Sequence, residues 1–397
     1  ILPNTLIYGS YAFLGQNVFQ GNHSTKIIAV ISILLFWLMT WVCIKGVSWI
    51  SKVTSLAGGA RLFMGVAFVV LAFVVVFGFG NEPAQEFTTT SIMPTFNWTF
   101  FMTMAWILQA VGGGESIGVY IKDVKGGNKT FVRTMIGATI AVGIMYILGA
   151  VAVGLVVPTD VLKGNFSNGI FDIFKILGTY FHIPAAMMVR LVGIILFVGS
   201  LGSLALWTAA PVKVFFSEIP DGVFGKWLVK TNEEGNPTNA LLVQGIIVTI
   251  LVAIPALGIG NMDSFLETLI NMTASTSLVP VLFLLIAYIG LRWKKETMPR
   301  SFRFGNRTFG LIAGIFLLAI FIFVFFMSTV PDPKLIMEEI NGTLPKGTAS
   351  PLGMLAYNII GLIVFMGFAW ICWKRYETKE KNEVGKGEMD YEDLGKL

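Results

Sequence analysis

The chain has 397 residues, 55% of them hydrophobic and only 13% charged, with a net charge of +5 and a mean hydropathy of +0.76. Soluble domains carry about 25% charged residues, so this composition excludes an ordinary soluble globule and makes the lipid bilayer most of the protein's solvent. The basic excess does not point to nucleic acid, because Lys and Arg gather in the connections between apolar runs, where they read as topology signals.

Residues 1–19 are a short apolar segment interrupted by Pro3 and Gly15. The segment has no initiator Met and no secretory signal pattern, and it reads as the end of a helix that begins upstream. A first full span is expected over residues 27–44, then a short amphipathic connection holding Trp49 and Lys52, then a second span over 55–80 with Arg61 about two turns inside it. Residues 81–97 form a polar loop with two glutamates and no basic residue.

The stretch 98–133 differs in kind. An apolar run, 100–111, has the pattern of half a membrane helix, and Gly112, Gly113, Gly114 and Glu115 then follow in succession. Each glycine costs a helix roughly 1 kcal/mol relative to alanine. A carboxylate at bilayer depth is expensive unless it faces a cavity or a partner. The apolar pattern resumes to Ile121 and stops at a basic loop, 122–133. This is the pattern of a discontinuous helix, whose freed backbone groups are tolerated only where they line a site. Close helix packing is the competing explanation for glycines in a span. On the discontinuous reading, carbonyls at one half-helix end attract an ammonium and N–H groups at the other attract a carboxylate, which together fit a zwitterionic amino acid.

Further spans are expected over 135–157, 184–207, 240–257, 265–291, 309–330 and 351–373. The 158–181 loop between the first two contains an amphipathic piece, 169–177, and the charged residues after 373 are expected to be disordered. Each span is long enough for the roughly 20 residues a crossing needs. Alternate connections hold nearly all the Lys and Arg, which predicts that the 122–133 loop and the C-terminus face the cytoplasm. Cys43 and Cys372 lie in apolar segments and read as small core residues.

Several of these residues carry a family resemblance. Ala110, Val111, Gly112, Gly113, Glu115 and Gly118 resemble the sixth helix of the amino acid–polyamine–organocation superfamily. Trp207, Pro211 and Lys213, with Lys230, Thr231, Asn232, Gly235, Pro237, Asn239 and Gln244, resemble its glutamate/γ-aminobutyrate antiporter branch. Lys45, Gly46, Lys52 and Thr54 fit the loop between its fourth and fifth helices.

The resemblance implies an all-α polytopic membrane protein with the LeuT-like inverted-repeat fold, five helices plus five, plus two. It places Ile1 within family helix three, so that family helices one and two and part of helix three are not among these residues. It implies a transporter domain over 1–375 and a charged cytoplasmic tail over 376–397, in a multi-pass plasma-membrane protein. The implied function is secondary amino acid transport, as an exchanger or as a proton-coupled permease, with the amino acid and the bilayer as partners and no cofactor or nucleic acid.

The implied substrate residues are Ala110, Val111, Gly112, Gly113, Gly114 and Glu115, with Ser203 and Trp207 on family helix eight and Thr273 on family helix ten. The family has a bulky residue where this chain has Gly114, which puts side-chain gating there in question. Glu115 is either a proton carrier or a hydrogen-bond acceptor for the broken backbone; no second titratable group is evident to relay a proton. Arg61 stands at or near the place where a basic residue replaces sodium in some relatives, or else it snorkels to the headgroups. An intramembrane enzyme would need paired catalytic groups at bilayer depth, but His23 and His182 both lie in polar connections. A channel would need a filter loop or repeated charged rings, and the sequence has neither.

Overall fold

The computed structural model describes residues 1–19, 24–45, 50–114, 124, 126–163, 165–217, 223–224, 227–233, 236–258, 262–298, 302–345 and 350–394. Among these residues the protein is all-helical apart from one isolated bridge between Thr231 and Pro237. The long helices are α1 (Leu2–Leu14), α2 (Ser24–Ile44), α3 (Ile50–Phe73), α4 (Trp98–Val111), α5 (Gly127–Val156), α6 (Gly169–Tyr180), α7 (Ala185–Ser217), α8 (Thr238–Gly258), α9 (Met262–Lys294), α10 (Arg307–Thr329) and α11 (Pro351–Leu394). Among the described residues, seven segments are long and apolar enough to cross a bilayer, and α4 and α8 contribute shorter apolar helices.

Several helices outrun the apolar stretches that announced them. α3 starts at Ile50 and continues beyond Phe73 as a π-helical turn, Val74–Gly78. α5 starts at Gly127, so Lys129 and Arg133 are helical and not part of a loop. α7 runs through Pro211 to Ser217, past the expected end at 207. The region after 373, expected to be disordered, continues α11 as helix to Leu394. Apolar length measures bilayer thickness and not helix length, and in α11 the Lys and Glu residues after the apolar run are themselves good helix formers that carry the helix onward.

The helix starts are specified locally. Asn97 and Asn306 cap α4 and α10, their side-chain oxygens accepting the N–H of Phe100 and of Phe309, each at 2.8 Å. Asp332 caps the short helix Pro333–Ile340 by accepting Lys334 N–H at 2.9 Å, with proline at its first position.

Buried side chains form one large cluster around α1 and α7, joined by α2, α3, α6, α8 and the start of α9. A second group gathers α4, α9 and α10 around Ala105, Ala274, Leu278 and Val324. A third, at the end rich in basic residues, includes Cys43, Val212, Ala240 and Leu241. Both cysteines are free thiols; Cys43 is buried with its sulfur 3.7 Å from the carbonyl of Ala205. Helices approach through small residues, as expected where lipid offers no hydrophobic drive. Gly245 of α8 lies against the Trp37 ring of α2, and Trp37 Nε1 donates to Thr249 Oγ1 at 3.1 Å.

The end rich in basic residues is tied by Arg292, which is only 2% exposed. Its guanidinium donates to the carbonyls of Phe304, Gly305 and Asn306 at 2.6, 3.1 and 3.2 Å, and to Glu296 at 3.2 Å. A planar fork of donors is what such a turn requires, and an ammonium does not reproduce it. Arg292→Lys should therefore lower the thermal unfolding midpoint by several degrees and expose the 302–306 turn to protease. Retention of the wild-type midpoint and cleavage pattern would show that the turn holds itself.

Candidate functional site

α4 stops at Val111 in the middle of the apolar stretch. The Gly112 N–H closes its last turn on the carbonyls of Leu108 at 2.9 Å and Gln109 at 3.2 Å. Gly112 is then extended, with φ −71° and ψ −173°, and Gly113 is left-handed at φ +103°. Gly114 is helical again. The discontinuity expected from the three glycines is present at the first two. A left-handed residue cannot continue a right-handed ladder, and only glycine adopts that conformation without a steric cost.

The carbonyl end of α4 thus terminates within an apolar stretch, where the negative end of the helix dipole favours a cation or ammonium. Ala110's carbonyl accepts the Tyr146 hydroxyl of α5 at 3.4 Å. Gly114 packs on Met135 of α5, whose methyl a Cβ at Gly114 would meet at 2.7 Å. Glu115 and Gly118 lie outside the described residues.

The side chains proposed from sequence do not converge on this break through hydrogen bonds. Ser203 Oγ donates to the Gly199 carbonyl of its own helix at 3.0 Å and accepts Arg61 Nη1 at 2.8 Å. Trp207 is 47% exposed. Thr273 is exposed and returns its hydroxyl to the Leu269 carbonyl at 2.7 Å. Ser200 and Thr208 also bond their own helix, at 2.8 and 2.7 Å, as hydroxyls in spans commonly do.

Arg61 crosses from α3 to α7, and its guanidinium fills the space left by Gly199, where a side chain would collide with Nε. That Nε is buried and has no hydrogen-bond partner. A guanidinium held between two spans by one hydroxyl is costly to bury, and its position is set by Ser203 and Gly199 together.

Two residues on α9 were passed over by the sequence reading. Asn271, 3% exposed, accepts Trp106 Nε1 of α4 at 2.6 Å. Glu267, one turn earlier, is a second carboxylate within a span. It lines a cavity of about 120 Å³ with Trp98 and Met102 of α4 and with Asp332. Both stand in an apolar run, where a polar residue is itself a signal of a site.

A helix broken within an apolar stretch of a multi-pass helical protein is an architecture found in membrane transporter folds. The amino acid permease family profile matches residues 3–345, and the chain belongs to that family. It is 27% identical over 314 residues to the aspartate/glutamate permease AcaP of Lactococcus lactis subsp. cremoris, covering 77% of this chain and 64% of that protein. It is 26% identical over 376 residues to the glutamate/γ-aminobutyrate antiporter of Lactococcus lactis subsp. lactis, covering 91% and 70%. A third relative, the inner membrane transporter YjeM of Escherichia coli, is 22% identical over 303 residues, covering 72% and 60%. The chain therefore spans roughly two thirds of the length of the relatives it matches.

Proposed function

We propose that the chain carries half of the substrate site of a secondary amino acid transporter that works by exchange, of the glutamate/γ-aminobutyrate type. The observation that supports this most is the left-handed break at Gly113 inside an apolar span, on a chain of the amino acid permease family. In this reading the substrate ammonium sits on the carbonyl end of α4 at Ala110 and Val111, and its carboxylate sits on the amides that follow Gly112, Gly113 and Gly114. Ser203, Trp207 and Thr273 are the side chains proposed to complete the site from α7 and α9.

Arg61, fixed on Ser203, supplies a permanent positive charge between α3 and α7 where a coupling cation would otherwise be needed. The end rich in basic residues and the tail after 375 face the cytoplasm, and the end bearing the 158–183 connection faces outside.

The test is counterflow with the full-length protein in proteoliposomes. Labelled glutamate should enter against internal γ-aminobutyrate without an imposed pH gradient. Uptake that needs an inward proton gradient and shows no counterflow would establish the proton-coupled permease instead, a reading to which the likeness to an aspartate/glutamate permease also lends support. Glu115→Gln separates two roles for that carboxylate. As a hydrogen-bond acceptor for the broken backbone, the role proposed here, its loss weakens affinity at every pH. A proton carrier would instead lose only the pH dependence.

A further inference from the structure

Over residues 292–307 the sequence sets six Lys or Arg against a single acid, Glu296, a net charge of +5 that equals the net charge of the whole chain. The segment joins one membrane-length helix, which closes at Lys294, to the next, which opens at Arg307, so it belongs at the level of the lipid headgroups. Its one carboxylate is already engaged, with Arg292 at 3.2 Å. Lys294 and Arg303 are exposed and make no hydrogen bond or ion pair among the described residues. Arg307 donates one bond, from Nη2 to the Trp293 carbonyl at 2.8 Å. Residues 299–301 lie outside the described residues.

These cations stand on a braced backbone. The buried Arg292 guanidinium ties the carbonyls of Phe304, Gly305 and Asn306. Gly305 takes φ +65°, and the Phe304 and Phe309 rings pack with centroids 5.5 Å apart. Aromatic side chains alternate with the charges: Trp293 is 62% exposed, Phe302 48% and Phe304 51%. Exposed rings beside Lys and Arg at the ends of spans are the composition of a membrane interface. Rings seated among acyl chains carry the neighbouring cations to a depth that a soluble acidic protein does not reach. Arg307 adds a sign of its own. It is the first residue of α10, where the positive end of the helix dipole disfavours a cation and favours an anion. A guanidinium presents planar paired donors that match phosphate oxygens.

We propose that Trp293, Lys294 and the 302–307 turn form a binding surface for the phosphate headgroup of an anionic phospholipid. Lys294 and Arg303 supply its unpaired cations, Arg307 supplies a fixed one, and the Phe302 and Phe304 rings sit among the acyl chains. The bound headgroup offsets the mutual repulsion of the cations and so stabilises the junction of α9 with α10. The proposal requires only that the chain spans a membrane, so it stands or falls apart from the transport reading. On the orientation proposed above, the lipid belongs to the cytoplasmic leaflet.

The experiment uses the full-length protein in a nonionic detergent, titrated with phosphatidylglycerol, with phosphatidylcholine of the same chain length, or with inorganic phosphate. Bound lipid is counted by native mass spectrometry, and the thermal midpoint is followed alongside. Phosphatidylglycerol should bind and raise the midpoint, and the other two should not. Lys294→Gln and Arg303→Gln should each weaken that binding about fivefold, and the double variant about 30-fold. Neither residue has a partner to lose, so the lipid-free midpoint should stay at the wild-type value. Lys129→Gln with Arg133→Gln removes the same charge from exposed positions at the start of α5 and should leave the affinity within about twofold.

Undiminished phosphatidylglycerol binding by the Lys294/Arg303 double variant would overturn the site. So would an equal loss in the α5 control, which would reduce the effect to net charge, and so would phosphatidylcholine binding as well as phosphatidylglycerol. Inorganic phosphate raising the midpoint as far as the lipid does would replace the lipid surface with a simple anion site.

Discussion

Gly113→Ala should cut amino acid exchange by about 30- to 1,000-fold while leaving folded yield unchanged. A Cβ at Gly113 meets no atom within 4 Å, so packing does not oppose the substitution and the effect isolates the backbone. At φ +103° a non-glycine residue costs about 1–3 kcal/mol. Alanine also favours an unbroken helix by roughly 1 kcal/mol over glycine. Both effects push the segment toward a continuous ladder, which closes the carbonyl end of α4 on itself. Each 1.4 kcal/mol is about tenfold in rate or population, which gives the stated range. Gly58→Ala is the control, because Gly58 is helical, has open space around it and does not need positive φ. Full exchange from the alanine variant would mean that transport does not use the break.

Gly193→Ala should be strongly destabilising. The methyl would lie 2.6 Å from the Ala12 backbone nitrogen, 2.9 Å from its Cα and 2.9 Å from the Tyr11 carbonyl carbon. All three are main-chain atoms of α1, so no rotamer change relieves the overlap and the two helices must separate. Overpacking of this kind costs about 1–3 kcal/mol or more. Displacing α1 also strains the hydrogen bond from the Tyr11 hydroxyl to Asn168 and the stack of its ring on Phe171. Gly9→Ala lies on the same interface but meets the Phe197 ring at 3.0 Å, and that ring can tilt. The expected order in detergent thermal melts is therefore wild type, then Gly9→Ala, then Gly193→Ala well below both. Equal midpoints for the two glycine variants would show that the α1–α7 contact is softer than its geometry.

The break itself was legible before any coordinates. Three glycines beside a carboxylate inside an apolar run contradict a continuous span, and the left-handed Gly113 is the physical form of that contradiction. The crossings were legible for a similar reason, since each must supply an apolar length matched to the hydrocarbon layer. Their true ends were not, because a helix need not stop where the bilayer does. Lys129, Arg133 and Pro211 all lie in helix beyond the apolar runs.

Partners were the least legible part. Arg61 was visible as an intramembrane charge, but Ser203 and Gly199, which hold it, are 142 and 138 residues further along the chain. Trp106 and Asn271 are each unremarkable in sequence and become a pair only when α4 lies along α9. Composition and apolar periodicity depend on each residue and its near neighbours, so they determined the membrane class, the crossings and the place where one helix must break. Which buried polar groups satisfy one another depends on which helices pack together, and a hydrogen bond of under 3 Å between distant residues leaves no periodic trace, so the Arg61–Ser203 and Trp106–Asn271 pairs were decided by tertiary structure alone.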